Sequence, residues 1–309
     1  MKKPIITSSL LSIFGITTAQ SLEPFPVTDT WLSKIEALAP SKTTIPVNHK
    51  KNVLIFSLHT GFEHWIIPHT EAVMKLIGTQ SGAFQMTSSS DIALFEKENL
   101  SKYDAVILNN NCSKNDSQNL FLEQLMEDNT LDSVQKIKKA EMLEHNLLEY
   151  VENGGGLMVL HGGISLLDSS EKFTKMVGGT FKFHPNQQNI KIELIDAKHP
   201  LTQAFDGNSF EVFDEAYIFG TPYDEYNFHP LLYFDKNKIT GLKKEDKKVN
   251  KEYISWIKKH GKGRIFYSML THNAQNYENA NLLQYFLDGM QYVVGDLKCD
   301  ETPLNKKDN

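Results

Sequence analysis

Three short, mostly apolar runs constrain this chain more than any other feature: Val53-Leu54-Ile55-Phe56, Tyr103-Asp104-Ala105-Val106-Ile107-Leu108 and Leu157-Met158-Val159-Leu160. A strand that is apolar on both faces must be covered on both, which is the situation of a parallel sheet between two layers of helix. The intervening sequence has the matching period. Residues 68–77 follow a helical pattern, and the Lys- and Glu-rich stretch 132–152 is amphipathic and stops at Asn153-Gly154-Gly155-Gly156, where glycine can leave the helical conformation. Strand, helix, strand, helix, strand predicts an α/β fold with a doubly wound, mostly parallel sheet.

Beyond about residue 178 the pattern changes. Residues 189–195 and 231–234 alternate, 210–219 is rich in aromatics, and 264–270 forms a last core strand after the Gly261-Lys262-Gly263 turn. These predict an antiparallel or mixed extension of the sheet. The charged run 243–251 reads as a solvated loop or hairpin end, and 281–294 as a closing helix. The expected organisation is a signal peptide over 1–19, a Pro-containing leader over 20–50 with one amphipathic piece at 31–38, a domain over 51–296 and a polar tail over 297–309.

The signal peptide is read from Lys2 and Lys3, the weakly apolar run 5–16, and the small residues Thr17-Thr18-Ala19. The run is shorter than the ~20 residues needed to span a bilayer. The mature protein is therefore expected in the periplasm or secreted, with no membrane span after cleavage. A length of 309 residues and a net charge of −6 fit an ordinary globular chain. Arg264 is the only arginine and the lysines are dispersed, so no nucleic-acid partner is expected. Cys112 and Cys299 form neither a C-x-x-C unit nor a disulfide framework. Nothing in the sequence indicates an oligomeric state.

In an open parallel sheet, ligands bind beyond the carboxyl ends of the strands. His59 and His64 follow the first apolar run, His161 directly follows the third, and His272 follows 264–270. Asp214 and Glu215 end another strand-like run. Gly162-Gly163 after His161 permits close backbone approach to a ligand. Independent strands thus deliver imidazoles and carboxylates to one rim, where titratable groups can do chemical work. Each also has a bland reading: a strand-end His is commonly a capping or surface residue, and Asp214-Glu215 could simply form surface ion pairs. His184 and His199 precede prolines and look turn-like, and His69 looks like a helix-start residue.

The order of short motifs carries a resemblance. Gly61-Phe62-Glu63-His64, then Tyr150-Val151-Glu152-Asn153-Gly154-Gly155-Gly156 running into Val159-Leu160-His161-Gly162-Gly163, then Val177-Gly178-Gly179-Thr180-Phe181 with His184-Pro185, His199-Pro200-Leu201, Asp214-Glu215-Ala216-Tyr217, and finally Trp256 with Gly261 to Tyr267 and His272, together resemble the ThuA-like (trehalose-utilisation) family over about 51–296. The resemblance implies a flavodoxin-like fold similar to the class I glutamine amidotransferases. It does not imply their chemistry, which needs a thiolate at a strand-to-helix elbow. Here that elbow holds His161, and Cys112, after a different strand, is expected to be incidental. Thr271 before His272, and His59, depart from the family pattern.

Two chemistries suit such a rim. His64, His161 and His272 could hold a divalent metal such as zinc, with Asp214 or Glu215 completing the shell or acting as base. Alternatively His161, Asp214 and Glu215 could share proton transfer without a metal. Gly162, Gly163, His184 and Tyr217 fall on the motifs as candidate substrate contacts. The resemblance implies a small carbohydrate or keto-sugar substrate, on which either chemistry would give a hydrolase or lyase. The competing expectations are a non-catalytic carbohydrate-binding protein on the same fold and a hydrolase using Cys112.

Overall fold

The computed structural model describes residues 22–304; the expected signal peptide and the last residues of the tail lie outside the described residues. The leader carries α1 (Asp29–Leu38), which starts where the Thr28 hydroxyl accepts from the Trp31 N–H and which buries Trp31 and Ile35. Next come β1 (Lys51–Phe56), α2 (Ile67–Gln80), β2 (Phe84–Ser89), α3 (Lys97–Leu100), β3 (Ala105–Asn109), α4 (Leu120–Met126), α5 (Ser133–Glu152) and β4 (Gly156–Leu160). The second half holds α6 (Glu171–Val177), β5 (Thr180–Phe183), β6 (Gln188–Leu194), β7 (Phe210–Asp214), β8 (Ile218–Gly220), β9 (His229–Asp235), β10 (Lys251–His260), β11 (Gly263–Ser268) and α7 (Ala280–Val293).

Nine strands form one sheet in the order β2-β1-β3-β4-β11-β10-β9-β6-β7, and β5 pairs with β8 in a separate ribbon. The pairings from β2 through to β11 are parallel, and those from β11 through to β7 are antiparallel. Every residue of β3 and β4 is buried, as an apolar strand in the middle of a helix-covered sheet requires. Asp132 caps α5 in a reciprocal box with Gln135, and Gly154, at φ 123°, reverses the chain into β4. Among the described residues no helix is long and apolar enough to cross a membrane.

The leader is held on the domain by specific contacts. The Trp31 ring meets His69 edge-on with centroids 5.0 Å apart. Thr44 donates to Asp288 at 2.6 Å, and Gln291 both accepts from the Ile45 N–H and donates to its carbonyl.

Several elements were not apparent in the sequence. β2 is an edge strand paired on one side only, so polar Gln85, Thr87, Ser88 and Ser89 fit it and no apolar run appears. β10 is a buried strand whose polar residues hide it: Glu252 pairs with Lys236 at 2.8 Å, and Ser255 donates to the Tyr267 carbonyl. The charged run 243–251 forms the second half of the β9–β10 connection and ends on the first residue of β10. β11 ends at Ser268, and Met269 and Leu270 leave the sheet toward the site.

Candidate functional site

The parallel strands end along one edge, and buried asparagines shape the loops beyond them. Asn111 donates to the carbonyls of Phe56 and Leu58, at 3.0 and 2.7 Å, and Asn109 donates to the Ser57 hydroxyl and the Ile67 carbonyl. These bonds fasten both ends of the loop that carries His64. Each is a buried polar group with partners, so the loop position is strongly specified. His161 follows β4 immediately and adopts φ 48°, a left-handed conformation unusual for a non-glycine residue. The elbow aims its ring under the site. Gly162 must be glycine there, because a Cβ would lie 2.6 Å from Cys112 Sγ and 3.0 Å from His64 Cε1.

His64, His161, Glu215 and His272 converge, all buried, with one potential ligand atom from each within 4.8 Å of all the others. Glu215 Oε2 lies 3.2 Å from His161 Nε2 and 3.1 Å from His272 Nδ1, and these two nitrogens are 3.3 Å apart. The His64 ring stands perpendicular to His161 with centroids 4.9 Å apart. His161 Nδ1 is 2.7 Å from the Met269 carbonyl, which only accepts, so Nδ1 carries the proton and donates it. The Tyr217 hydroxyl then donates to Nε2 at 2.6 Å. Gln187 Nε2 contacts His272 Nε2 at 2.8 Å, while Gln187 Oε1 accepts from Asn273.

The electrostatics follow from burial and this crowding. Burial, reinforced by the neighbouring His161 and His272, lowers His64 to about 2, so its imidazole is neutral. Burial likewise lowers His161, more than Glu215 raises it. Burial on its own would raise Glu215, but the adjacent His161 and His272 imidazoles hold its carboxyl far below the usual range. Burial opposes a charge on His272, yet the Glu215 carboxylate raises it. Burial keeps the Tyr217 phenol protonated and pushes the Cys112 thiol up to about 12.

His161 Nε2 and Glu215 Oε2 therefore face each other as acceptors across 3.2 Å, with the Tyr217 hydroxyl donating to Nε2 and His272 Nδ1 donating to Oε2. A proton or a cation between them relieves the repulsion. Ligand atoms at ~2.0–2.1 Å from a tetrahedral ion stand roughly 3.3–3.4 Å apart. The donor set of three imidazoles and one carboxylate, with His161 oriented through its second nitrogen, thus fits a divalent metal ion.

Other candidates take different places. Asp214 is fully buried behind the cluster, where it accepts from the Glu215 N–H at 2.8 Å and from Asn276 at 2.9 Å, and burial raises it to about 7. Glu215, and not Asp214, belongs to the cluster. His184 lies at the rim with its side chain 33% exposed and its Nε2 3.5 Å from Glu215 Oε1. A Cβ on Gly163 would strike the Leu108 carbonyl, so that glycine answers to packing. His59 stays outside, its Nε2 3.8 Å from a Glu63 carboxylate oxygen, and His199 bonds the Asp300 carbonyl far along the chain. Cys112, expected to be incidental, has its Sγ 3.7 Å from His64 Nδ1 and helps position that ring, although as a thiol it is no nucleophile.

Gln187 and the Met269 carbonyl were missed by sequence reasoning. Gln187 lies only three residues beyond His184, a proximity that could have flagged it. A main-chain carbonyl leaves no residue-type signal.

The sequence pattern of the ThuA family, described as trehalose utilisation, matches residues 52–293. The chain belongs to the ThuA family. A putative ThuA-like protein from Bacteroides uniformis ATCC 8492 superposes with a TM-score of 0.58 at 18% identity, covering 80% of this chain and 93% of that one. A putative ThuA-like protein from Parabacteroides merdae ATCC 43184 gives 0.55 at 18% identity, covering 80% and 90%. At that identity the likeness concerns the ThuA fold alone. No match was found among curated proteins.

Proposed function

We propose that this ThuA-family chain is an exported enzyme that acts on a small carbohydrate or keto-sugar, with His64, His161, Glu215 and His272 holding a divalent cation. The observation that carries the reading is the convergence of three neutral or proton-sharing imidazoles and one carboxylate, all buried, with His161, Glu215 and His272 at mutual distances of 3.1 to 3.3 Å. Buried polar atoms of this number and spacing are costly unless something between them is bound or transferred. A cation held there would polarise a carbonyl or hydroxyl oxygen of the sugar.

The chain's own groups supply the proton handling. His184, at the rim and 3.5 Å from Glu215 Oε1, exchanges a proton between solvent and the substrate oxygen or carbon beside the cluster. Glu215 Oε2 holds the proton of His272 Nδ1 and keeps that imidazole oriented. Tyr217 O–H and the Met269 carbonyl fix the His161 ring from opposite nitrogens. Asp214 orders the turn at Glu215 by accepting its N–H. A hydrolase or lyase reaction uses these parts in the same way. The trehalose description of the family favours the carbohydrate class, and the Lys2-Lys3 start with its short apolar run favours export.

The test is to purify the full chain without chelators, measure bound divalent metals, and follow a panel of sugars and keto-sugars by mass spectrometry. Metal near one equivalent and turnover of one panel member, both lost in Glu215→Gln, support the reading. Stoichiometric sugar binding with no turnover replaces it by a binding protein.

A further inference from the structure

Beside the cluster lies a cavity of about 670 Å³, lined by Phe62, Cys112, Ser165, Asp168, Phe181 and Lys182 among others. That is within the range of ~300–1,000 Å³ typical of small-ligand sites. It shares walls with the cluster. Cys112 is 3.7 Å from His64 Nδ1, the Phe62 ring meets the His64 ring edge-on at 4.7 Å, and the Phe181 ring lies 4.6 Å from that of Tyr217, the partner of His161. A ligand in the cavity is therefore next to the reacting groups.

Two features of this cavity bear on what it can hold. Phe62 is 64% exposed, although a phenyl ring gains nothing from facing water. Asp168 has a buried carboxylate oxygen, Oδ1, with no hydrogen-bond partner. An unpaired buried oxygen is costly, and because Asp168 lines the cavity, a turn of its side chain brings that oxygen to a ligand. Burial raises this carboxyl to about 7, against the opposing pull of the Ser165 hydroxyl. An aromatic face and an under-satisfied acceptor are the two things a ring-shaped polyol can use: its C–H face packs on the phenyl ring and a hydroxyl donates to the acid.

We propose that this cavity is the recognition subsite for the substrate, which binds as a polyhydroxy ring with its C–H face on Phe62 and a non-reacting hydroxyl donated to Asp168. The choice of reacting partner rests on the function proposed above, but the subsite itself does not. Asp168 makes the site select ring hydroxyls, and deoxygenation at the hydroxyl it reads leaves the acid unpaired again.

The test reads binding apart from turnover. Calorimetric titration of the full chain with trehalose and with D-glucose is compared for the unaltered protein, Asp168→Asn, Phe62→Ala and His161→Ala, with thermal unfolding to check folding. The expected result is saturable binding of at least one sugar, weakened roughly tenfold or more by Asp168→Asn and roughly threefold to tenfold by Phe62→Ala. Phe62 is exposed, so its variant keeps the fold if Asp168→Asn does not. Unchanged affinity in the Phe62 and Asp168 variants, or no binding of either sugar, overturns the proposal. Binding that depends on Asp168 without turnover keeps the subsite and removes the enzyme reading; turnover that depends on His161 with KM unchanged in both cavity variants does the reverse.

Discussion

The Tyr217 hydroxyl sits 2.6 Å from Nε2 of His161, a ring whose other nitrogen donates to the Met269 carbonyl at 2.7 Å. The tautomer of His161 is therefore set by a backbone atom, and its Nε2, which accepts from Tyr217, lies 3.2 Å from Glu215 Oε2 and 3.3 Å from His272 Nδ1. His161→Ala should lower turnover on the order of 10²- to 10⁴-fold while leaving a folded protein. Tyr217→Phe keeps the ring stack but removes the donor, and its loss should be smaller. Steady-state rates alongside circular dichroism decide this; full activity in His161→Ala would remove the cluster from the mechanism.

Gly162 has no room for a methyl group, since its Cβ would lie 2.6 Å from Cys112 Sγ. Gly162→Ala should displace the Cys112 thiol and the His64 ring, destabilise by about 1–3 kcal/mol and reduce metal content. Shortening the obstacle in Gly162→Ala/Cys112→Ala should restore part of both. Thermal melts and metal analysis of the single and double variants give the answer, and no recovery in the double variant would place the strain elsewhere.

Because burial holds Cys112 as a thiol, with its pKa pushed up to about 12, Cys112→Ser should retain turnover and lose only about 1 kcal/mol of stability. Complete inactivation by that substitution would instead support a thiol-dependent hydrolase. Activity before and after iodoacetamide treatment provides an independent readout.

Asp288 ties the leader to α7 by accepting from Thr44 and Gln284, at 2.6 and 2.8 Å, yet burial raises its carboxyl to about 6. An acid raised on folding binds its proton more tightly in the native state, so stability falls as pH rises from about 4 to about 6 and the loss is complete above that. Asp288→Asn keeps the acceptor and removes the charge. It should stabilise the protein by roughly 1–3 kcal/mol at pH 7 and by almost nothing at pH 4. Urea denaturation at the two pH values measures the difference, and equal effects at both would contradict the assignment.

Chelation offers a direct check on the cation. Treating the protein with EDTA and removing the chelate should abolish turnover, and re-adding one divalent metal should restore it. Turnover that is untouched by complete metal removal would leave the His184, Glu215 and His272 proton-transfer set as the working centre.

Much of this was legible in the chain. Strands in the middle of a helix-covered sheet have to be apolar throughout, so β1, β3 and β4 could be read from 53–56, 103–108 and 157–160, the second starting two residues later than its pattern suggests. Glycines at the ends of elements pinned the α5-to-β4 reversal. A parallel sheet then sends the residues after its strands to one edge, which is why His64, His161 and His272 could be named before any geometry was known.

Edge and antiparallel strands were less visible, because partial exposure in β2 and paired buried charges such as Lys236 with Glu252 in β10 erase the apolar signal. Local pattern determined the fold class and the candidate imidazoles of this protein, since burial on both faces and chain reversal are imposed within a few residues. Only the tertiary structure decided that Glu215 faces the cluster while its neighbour Asp214 turns away, that Cys112 braces His64, and that Gln187 and the Met269 carbonyl orient the other rings. Those choices depend on contacts between atoms tens of residues apart, whose distances and proton directions no local pattern contains.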